Sequence, residues 1–104
     1  MKTIHRFPLM FIGDSELSLP KSAQVLSLTL HPNGQAMLYC VVDEGDTDKR
    51  KVVVRGIMTG EGFELEELGR APFFLGTLNN INGFVSHFFI TEDTQLHIKR
   101  INHV

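Results

Sequence analysis

AQVLSLTLHPNGQAMLYCVV, residues 23–42, reads as one β-hairpin. Val25 to Leu30 alternates, His31-Pro32-Asn33-Gly34 turns the chain, and Gln35 to Val42 returns. A two-residue Asn-Gly turn would set Pro32 opposite Gln35, in a ladder position that needs a backbone N–H which proline lacks. Pro32 instead fits the first central position of a type I turn, with Gly34 in the left-handed position of a bulge. His31 then pairs with Gln35. That register puts Leu26, Leu28 and Leu30 on one face with Ala36, Leu38 and Cys40, and Ser27, Thr29 and His31 on the other with Gln35, Met37 and Tyr39. A fully apolar face behind a mixed one is the signature of a half-buried sheet. A one-residue slip would turn every side chain to the other face, so the turn chemistry decides the core.

Working outward, the chain has 104 residues, 42% hydrophobic and 21% charged, which gives one β-rich domain over 1–104 with one core rather than a disordered chain. A net charge of −2 offers no broad attraction to nucleic acid or an anionic membrane. No run approaches the roughly 20 apolar residues of a spanning helix. The apolar run at the N-terminus is short and broken by Pro8, with no Ala-x-Ala pattern after it, so no signal peptide is expected. The single cysteine, Cys40, falls on the apolar face and excludes an intrachain disulfide, which suits a cytoplasmic protein.

Upstream of the hairpin, Lys2-Thr3-Ile4-His5-Arg6-Phe7 alternates up to Pro8, with Thr3, His5 and Phe7 on one side. Gly13-Asp14 reads as a turn, and Glu16 to Pro20 alternates with Leu17 and Leu19 inward. Downstream, residues 43–51 read as a long charged loop between two antiparallel strands. Val52 to Met58 is strand, with Gly56 marking a bulge or a close backbone approach. Residues 63–68, FELEEL, read as a single helical turn or irregular loop. Phe73 to Leu78 and Phe84 to Thr91 are strands around a turn at 79–83, and Gln95 to Ile101 reads as a last strand. Residues 84–91 carry bulk on both faces, which predicts a central or sandwiched strand. Five of the eight phenylalanines, at 73, 74, 84, 88 and 89, predict that this hairpin forms the second half of the core. There is no linker and no internal repeat. The many short strands give a mainly β fold, an antiparallel sandwich or small open barrel with at most a short helix.

Chemistry-bearing patterns are sparse. Lys49, Arg50, Lys51 and Arg55 are flanked by acids, so a charged loop and solvated strand start is preferred over a phosphate-binding patch. His5, His31, His87, His97 and His103 show no metal-ligand spacing, and Asp43, Asp46 and Asp48 do not follow a calcium-loop pattern. The glycines do not open a βαβ unit, so no phosphate cradle is implied. No catalytic, cofactor-binding or metal residue is assigned, and enzyme activity is left open. Met10, Phe11, Met58 and Phe63 are apolar residues in or beside irregular segments, the candidates for an interaction surface. The alternative is a small-molecule-binding domain or enzyme whose pocket is lined by His87 and Tyr39. Open sheet edges also predict homodimerisation.

The order of several small motifs resembles a family of small uncharacterised proteins encoded by phages and prophages. They are Lys2-Thr3-Ile4 with Phe7-Pro8-Leu9, Leu19-Pro20 followed by Ala23 and Val25-Leu26-Ser27, Val42-Asp43, Gly76-Thr77, and Phe84-Val85-Ser86-His87 with Phe89. The chain departs from that pattern at Ser86, where the family often has tryptophan, and at Gly56-Ile57-Met58, where it often has Gly-Thr-Gly. The resemblance transfers no activity to these residues. It implies a noncatalytic protein-interaction module, a phage accessory protein that binds a host protein.

Overall fold

The structure is a computed structural model and describes residues 1–94. Its strands are β1 (Lys2–Leu9), β2 (Gly13–Pro20), β3 (Gln24–Leu30), β4 (Ala36–Asp43), β5 (Lys49–Met58), β6 (Phe73–Asn79) and β7 (Val85–Asp93), with one 3-10 turn at Leu65–Leu68. They form two antiparallel sheets, β1-β4-β3 and β2-β5-β7-β6, packed as a sandwich. The predicted final strand at 95–101, and with it His97 and His103, lies outside the described residues.

The β3–β4 hairpin keeps the register that Pro32 dictates. The His31 N–H donates to the Gln35 carbonyl at 2.8 Å, and the Gly34 N–H donates to the His31 carbonyl at 2.8 Å. Gly34 has φ +89°, a left-handed conformation open to glycine without a Cβ penalty. Leu28 pairs with Leu38 and Leu30 with Ala36, and Ala36, Leu38 and Cys40 are buried. Leu26 departs from the expectation. A bulge between Val25 and Ser27 takes it out of the ladder, so Val25 pairs with Cys40 and Leu26 is 54% exposed. The bulge flips the alternation on one side of itself, which a strict period of two cannot anticipate.

Residues 43–51 also connect differently from the hairpin-like loop expected. β4 and β5 belong to different sheets and do not pair, so residues 44–48 carry the chain from one layer to the other. The core lies between the layers. Leu9, Ala36, Leu38, Cys40 and Val42 face Leu17, Leu19, Val52, Val54, Phe88 and Ile90, and each large apolar side chain so buried stabilises by about 1.5–3 kcal/mol.

As its two bulky faces predicted, β7 is central, lying between β5 and β6. Both neighbours run antiparallel to it, so β5 and β6 are parallel and the chain must cross the sheet to join them. Residues 59–72 make that crossing, and their 3-10 turn packs on β7. Ile57, which points outward, and Leu68 are both buried although they stand apart from the main core. The aromatic half-core does not form as predicted. Phe88 is buried, but Phe73, Phe74 and Phe84 are 56%, 54% and 53% exposed. The reason is position. Phe73 and Phe74 open β6, which has no further strand beyond it among the described residues, and Phe84 sits in the turn.

Candidate functional site

The registers sort the connections into two ends. At one end lie residues 10–12, 31–35 and 80–84, together with the exit of β5 at Met58. None of these three connections contains Asp, Glu, Lys or Arg. At the other end lie Lys21, Asp43, Glu44, Asp46, Asp48, Lys49 and Asp93. The sandwich therefore has a charged end and an opposite end, called neutral for its three uncharged connections, at which Glu61 accepts the Met58 N–H at 2.9 Å.

At the neutral end, two hairpins use one turn design. The Asn80 N–H donates to the Phe84 carbonyl at 2.9 Å and the Gly83 N–H to the Asn80 carbonyl at 3.0 Å, as in the turn at 31–35. Gly83 has φ +83°. In the first turn His31 Nδ1 accepts the Asn33 N–H at 3.2 Å, and in the second Asn80 Oδ1 accepts the Asn82 N–H at 2.9 Å. Each edge strand also carries its bulge five residues before the turn begins, at Leu26 and Leu75. The likeness lies in geometry rather than sequence, so a search for a sequence repeat does not reveal it.

Residues 10–12 are anchored from inside. Phe11 packs edge-on against Phe88, centroids 6.0 Å apart, and its carbonyl accepts the Ser86 hydroxyl at 2.6 Å. The Met10 N–H donates to Ser15 Oγ at 2.7 Å. This anchoring leaves Met10 61% and Ile12 45% exposed. A groove of about 380 Å³, lined by Leu9, Met10, Phe11, Asn33, Gly34, Gln35 and Ala36, runs between the β1–β2 connection and the first turn.

The structure thus brings Met10, Phe11 and Met58 to one end, since Met58 pairs with Ser86 and Ser86 holds Phe11. Phe63 is exposed on the crossing segment. Ile12, Ile81 and Phe84, also exposed at this end, escaped the sequence reading. Ile81 had a visible signal, because an isoleucine at the tip of an Asn-Ile-Asn-Gly turn has nowhere to be buried.

His87 and Tyr39 do not meet. Tyr39 alternates with buried Leu38 and Cys40 and so faces outward from the three-stranded sheet. His87 alternates with buried Ser86 and Phe88 and faces outward from the other sheet. Both nitrogens of His87 are occupied, Nε2 with Thr59 Oγ1 at 2.7 Å and Nδ1 with Thr77 Oγ1 at 2.9 Å. The imidazole ties the start of the crossing segment to β6 through β7. Cys40 is fully buried, and burial, partly offset by the Arg50 charge, raises its thiol pKa. A raised pKa disfavours the thiolate a nucleophile needs.

Arg50, Lys51 and Arg55 are each paired with acids. Lys51 bridges Glu92 at 3.2 Å and Glu16 at 3.8 Å, and these partners raise its pKa. Arg50 points inward at the charged end, with Nε 3.3 Å from Asp93 and Nη1 donating to the Lys21 carbonyl at 2.8 Å. Arg55 binds Asp14 through Nε and Nη2 at 2.7 and 3.1 Å, and Glu67 through Nη1 at 2.9 Å; these carboxylates raise its pKa. A groove of about 400 Å³ beside Glu16, Lys49, Arg50 and Lys51 is therefore of mixed charge. Among the described residues, no group of three or more His, Cys, Asp or Glu could hold a metal, and no helix is long and apolar enough to cross a membrane.

Fold and surface together define a β-sandwich with one end whose three connections are uncharged and expose apolar side chains. Residues 1–99 match the family described as Domain of unknown function (DUF7352), and the chain belongs to it. No curated protein and no solved structure matches the chain.

Proposed function

We propose that this chain is a noncatalytic protein-interaction module, a phage accessory protein that binds a host protein in the host cytoplasm through its neutral end. One observation carries the reading. Three connections without a charged residue leave Met10, Ile12, Ile81 and Phe84 exposed together with a groove, while charge collects at the opposite end. Exposed apolar clusters on small folded proteins mark interaction sites, and side chains of this size supply the anchors of interfaces. The phage assignment rests on the resemblance carried by Lys2-Thr3-Ile4, Phe7-Pro8-Leu9 and the segment around Ser86.

The test is quantitative capture from bacterial host lysate with wild type, Met10→Asp, Phe84→Asp and a charged-end control, Glu44→Lys. Wild type and control enrich the same protein, and purified partner binds both neutral-end variants at least about tenfold more weakly, a loss of roughly 1.4 kcal/mol. Equal binding by all four proteins, or no reproducible partner with the fold intact, rejects the reading.

A further inference from the structure

We infer that the second turn holds a self-modification site, at which the Gly83 nitrogen attacks the Asn82 side-chain amide and converts Asn82 to aspartate or isoaspartate. The turn chemistry sets this reaction ahead of the same one at Asn33. Its co-reactant is water. It is read without any partner, so it stands or falls separately from the function proposed above.

Asparagine precedes glycine twice among the described residues, at Asn33-Gly34 and Asn82-Gly83. Glycine matters because the attacking atom is its backbone nitrogen, and no Cβ crowds the approach. A Cβ built on Gly34 or Gly83 would meet nothing within 4 Å, so the space beside both residues is open. Asn80, by contrast, precedes β-branched Ile81, and two N–H groups engage its Oδ1. In the first step a bond forms between Gly83 N and Asn82 Cγ, and the Cγ–Nδ2 bond breaks. Nδ2 leaves as ammonia, taking the proton that Gly83 N carried. Water then opens the cyclic imide. Attack at Cγ gives aspartate and attack at the backbone carbonyl gives isoaspartate, and either product carries a new carboxylate.

The two turns share a backbone and so form an internal comparison. Gly34 and Gly83 have φ +89° and +83°, and their N–H groups donate to the His31 and Asn80 carbonyls at 2.8 and 3.0 Å. Those bonds must weaken before either nitrogen attacks, which slows both sites relative to an unfolded chain. The side chains differ. Asn33 Oδ1 accepts the Gln35 N–H at 2.9 Å, which holds the amide against the rotation that carries Cγ onto the next nitrogen. In the second turn the equivalent donor, the Phe84 N–H, goes to Asn80 Oδ1 at 3.0 Å. No side-chain hydrogen bond among the described residues holds the Asn82 amide, and Asn82 is exposed. Histidine at 31 and asparagine at 80 therefore decide which of the two amides is free.

The product places a carboxylate between Ile81 and Phe84, both exposed, in a connection that carries no charge. Isoaspartate also adds a backbone methylene inside the turn that Asn80 and Phe84 close. The chain thereby carries a one-way change of charge on the surface proposed above to bind a partner, and this consequence alone rests on that proposal.

The experiment incubates the folded full chain in mildly alkaline buffer and follows both sites by peptide mass spectrometry, with enzymatic methylation to count isoaspartate. Asn82 converts roughly two- to tenfold faster than Asn33, the rate equivalent of one net hydrogen bond. In denaturant the two rates converge, because both Asn-Gly pairs lose their turns. His31→Asn supplies at position 31 an amide oxygen that takes the Gln35 N–H as Asn80 takes that of Phe84. Asn33 conversion then rises toward the Asn82 rate while Asn82 is unchanged, with circular dichroism checking the fold. An Asn33 that converts as fast as Asn82 or faster in the folded wild type overturns the inference, since the Gln35 N–H would then polarise the amide rather than hold it. So does a difference that persists unchanged in denaturant, a folded chain in which Asn82 stays intact while the unfolded chain converts, or an Asn33 rate that does not move in His31→Asn.

Discussion

The Ser86 hydroxyl donates to the Phe11 carbonyl at 2.6 Å, joining the start of β7 to the β1–β2 connection. Ser86 is fully buried, so the bond is shielded from water. Ser86→Ala leaves the carbonyl without this donor and is expected to destabilise the fold by about 1–3 kcal/mol, the cost of an unmet buried polar group. Urea denaturation reads this directly. Because the bond fixes residues 10–12, the same variant should also weaken the partner binding proposed for Met10 more than its stability loss alone predicts.

Gly56 meets the same carbonyl from the neighbouring strand. A Cβ at this position would lie 2.5 Å from the Phe11 oxygen and 3.0 Å from the Phe88 ring. The obstacle is backbone rather than the tip of a flexible side chain, so Gly56→Ala must push the connection outward. The expected loss is about 1–3 kcal/mol, read as a lower denaturation midpoint, with altered chemical shifts confined to residues around 10–12 and 86–88. A fully wild-type stability would mean that the connection relaxes freely.

Arg50 and Glu92 separate a shielded ion pair from an open one. The Arg50 and Asp93 side chains are 14% and 7% exposed, whereas Lys51 and Glu92 are 46% and 52% exposed. Removing one partner of a desolvated pair strands the other charge, while exposed pairs contribute roughly 0–1 kcal/mol. Asp93→Ala is therefore expected to destabilise by about 2–4 kcal/mol, and Glu92→Ala by less than about 1 kcal/mol. Thermal melts of the two variants side by side check the order.

These contacts mark what the sequence disclosed and what it withheld. Pro32 fixed the β3–β4 register because it removes one donor, a chemical fact readable from one residue. Gly56 likewise signalled a close approach. The partner in that approach, a carbonyl forty-five positions away in sequence, followed only from pairing β2 with β5. The bulge at Leu26 was hidden because the apolar alternation continues straight through it. The phenylalanines misled for a related reason: hydrophobicity reports that a side chain prefers burial, while strand order decides whether a second layer is there to bury it. Of the interaction end, Met10, Phe11 and Met58 were legible as apolar residues in or beside irregular segments, but Ile12, Ile81 and Phe84 joined them only when the ends of the strands were known.

Acid should weaken the fold through two surface carboxylates. Asp46 accepts the Ser22 N–H at 2.8 Å, and this bond, with further help from the Ser22 hydroxyl, lowers its pKa. Glu67 accepts the Glu64 N–H at 2.6 Å and the Arg55 guanidinium, which lower its pKa in that order. Unfolding raises both to ordinary values, so between folded and unfolded pKa the unfolded chain binds more protons and stability rises with pH. The contribution is complete above the ordinary carboxylate range and is lost as pH falls through the depressed folded values. Lys51 acts in the opposite direction: its raised pKa gives a contribution complete below the ordinary lysine value and lost as pH rises through the folded one. Asp46→Asn and Glu67→Gln should each flatten the acid limb of stability against pH, below about pH 5, without altering the alkaline limb.

The paired turns make the most specific prediction. His31 Nδ1 and Asn80 Oδ1 occupy equivalent positions and each accepts the N–H two residues on. Asn80 Oδ1 also accepts the Phe84 N–H at 3.0 Å, a second bond that His31 does not make. In the first turn the Gln35 N–H goes instead to Asn33 Oδ1 at 2.9 Å. Asparagine suits this position because its short side chain folds back on its own turn. His31→Asn should therefore retain the acceptor and keep stability within about 0.5 kcal/mol of wild type, while Asn80→Ala, which removes both bonds, should cost about 1–2 kcal/mol. His31→Ala, losing one bond, should fall between them. No loss in either His31→Ala or Asn80→Ala would show that the backbone bonds alone close both turns. Hydrogen exchange at Asn33, Asn82 and Phe84 distinguishes the cases residue by residue.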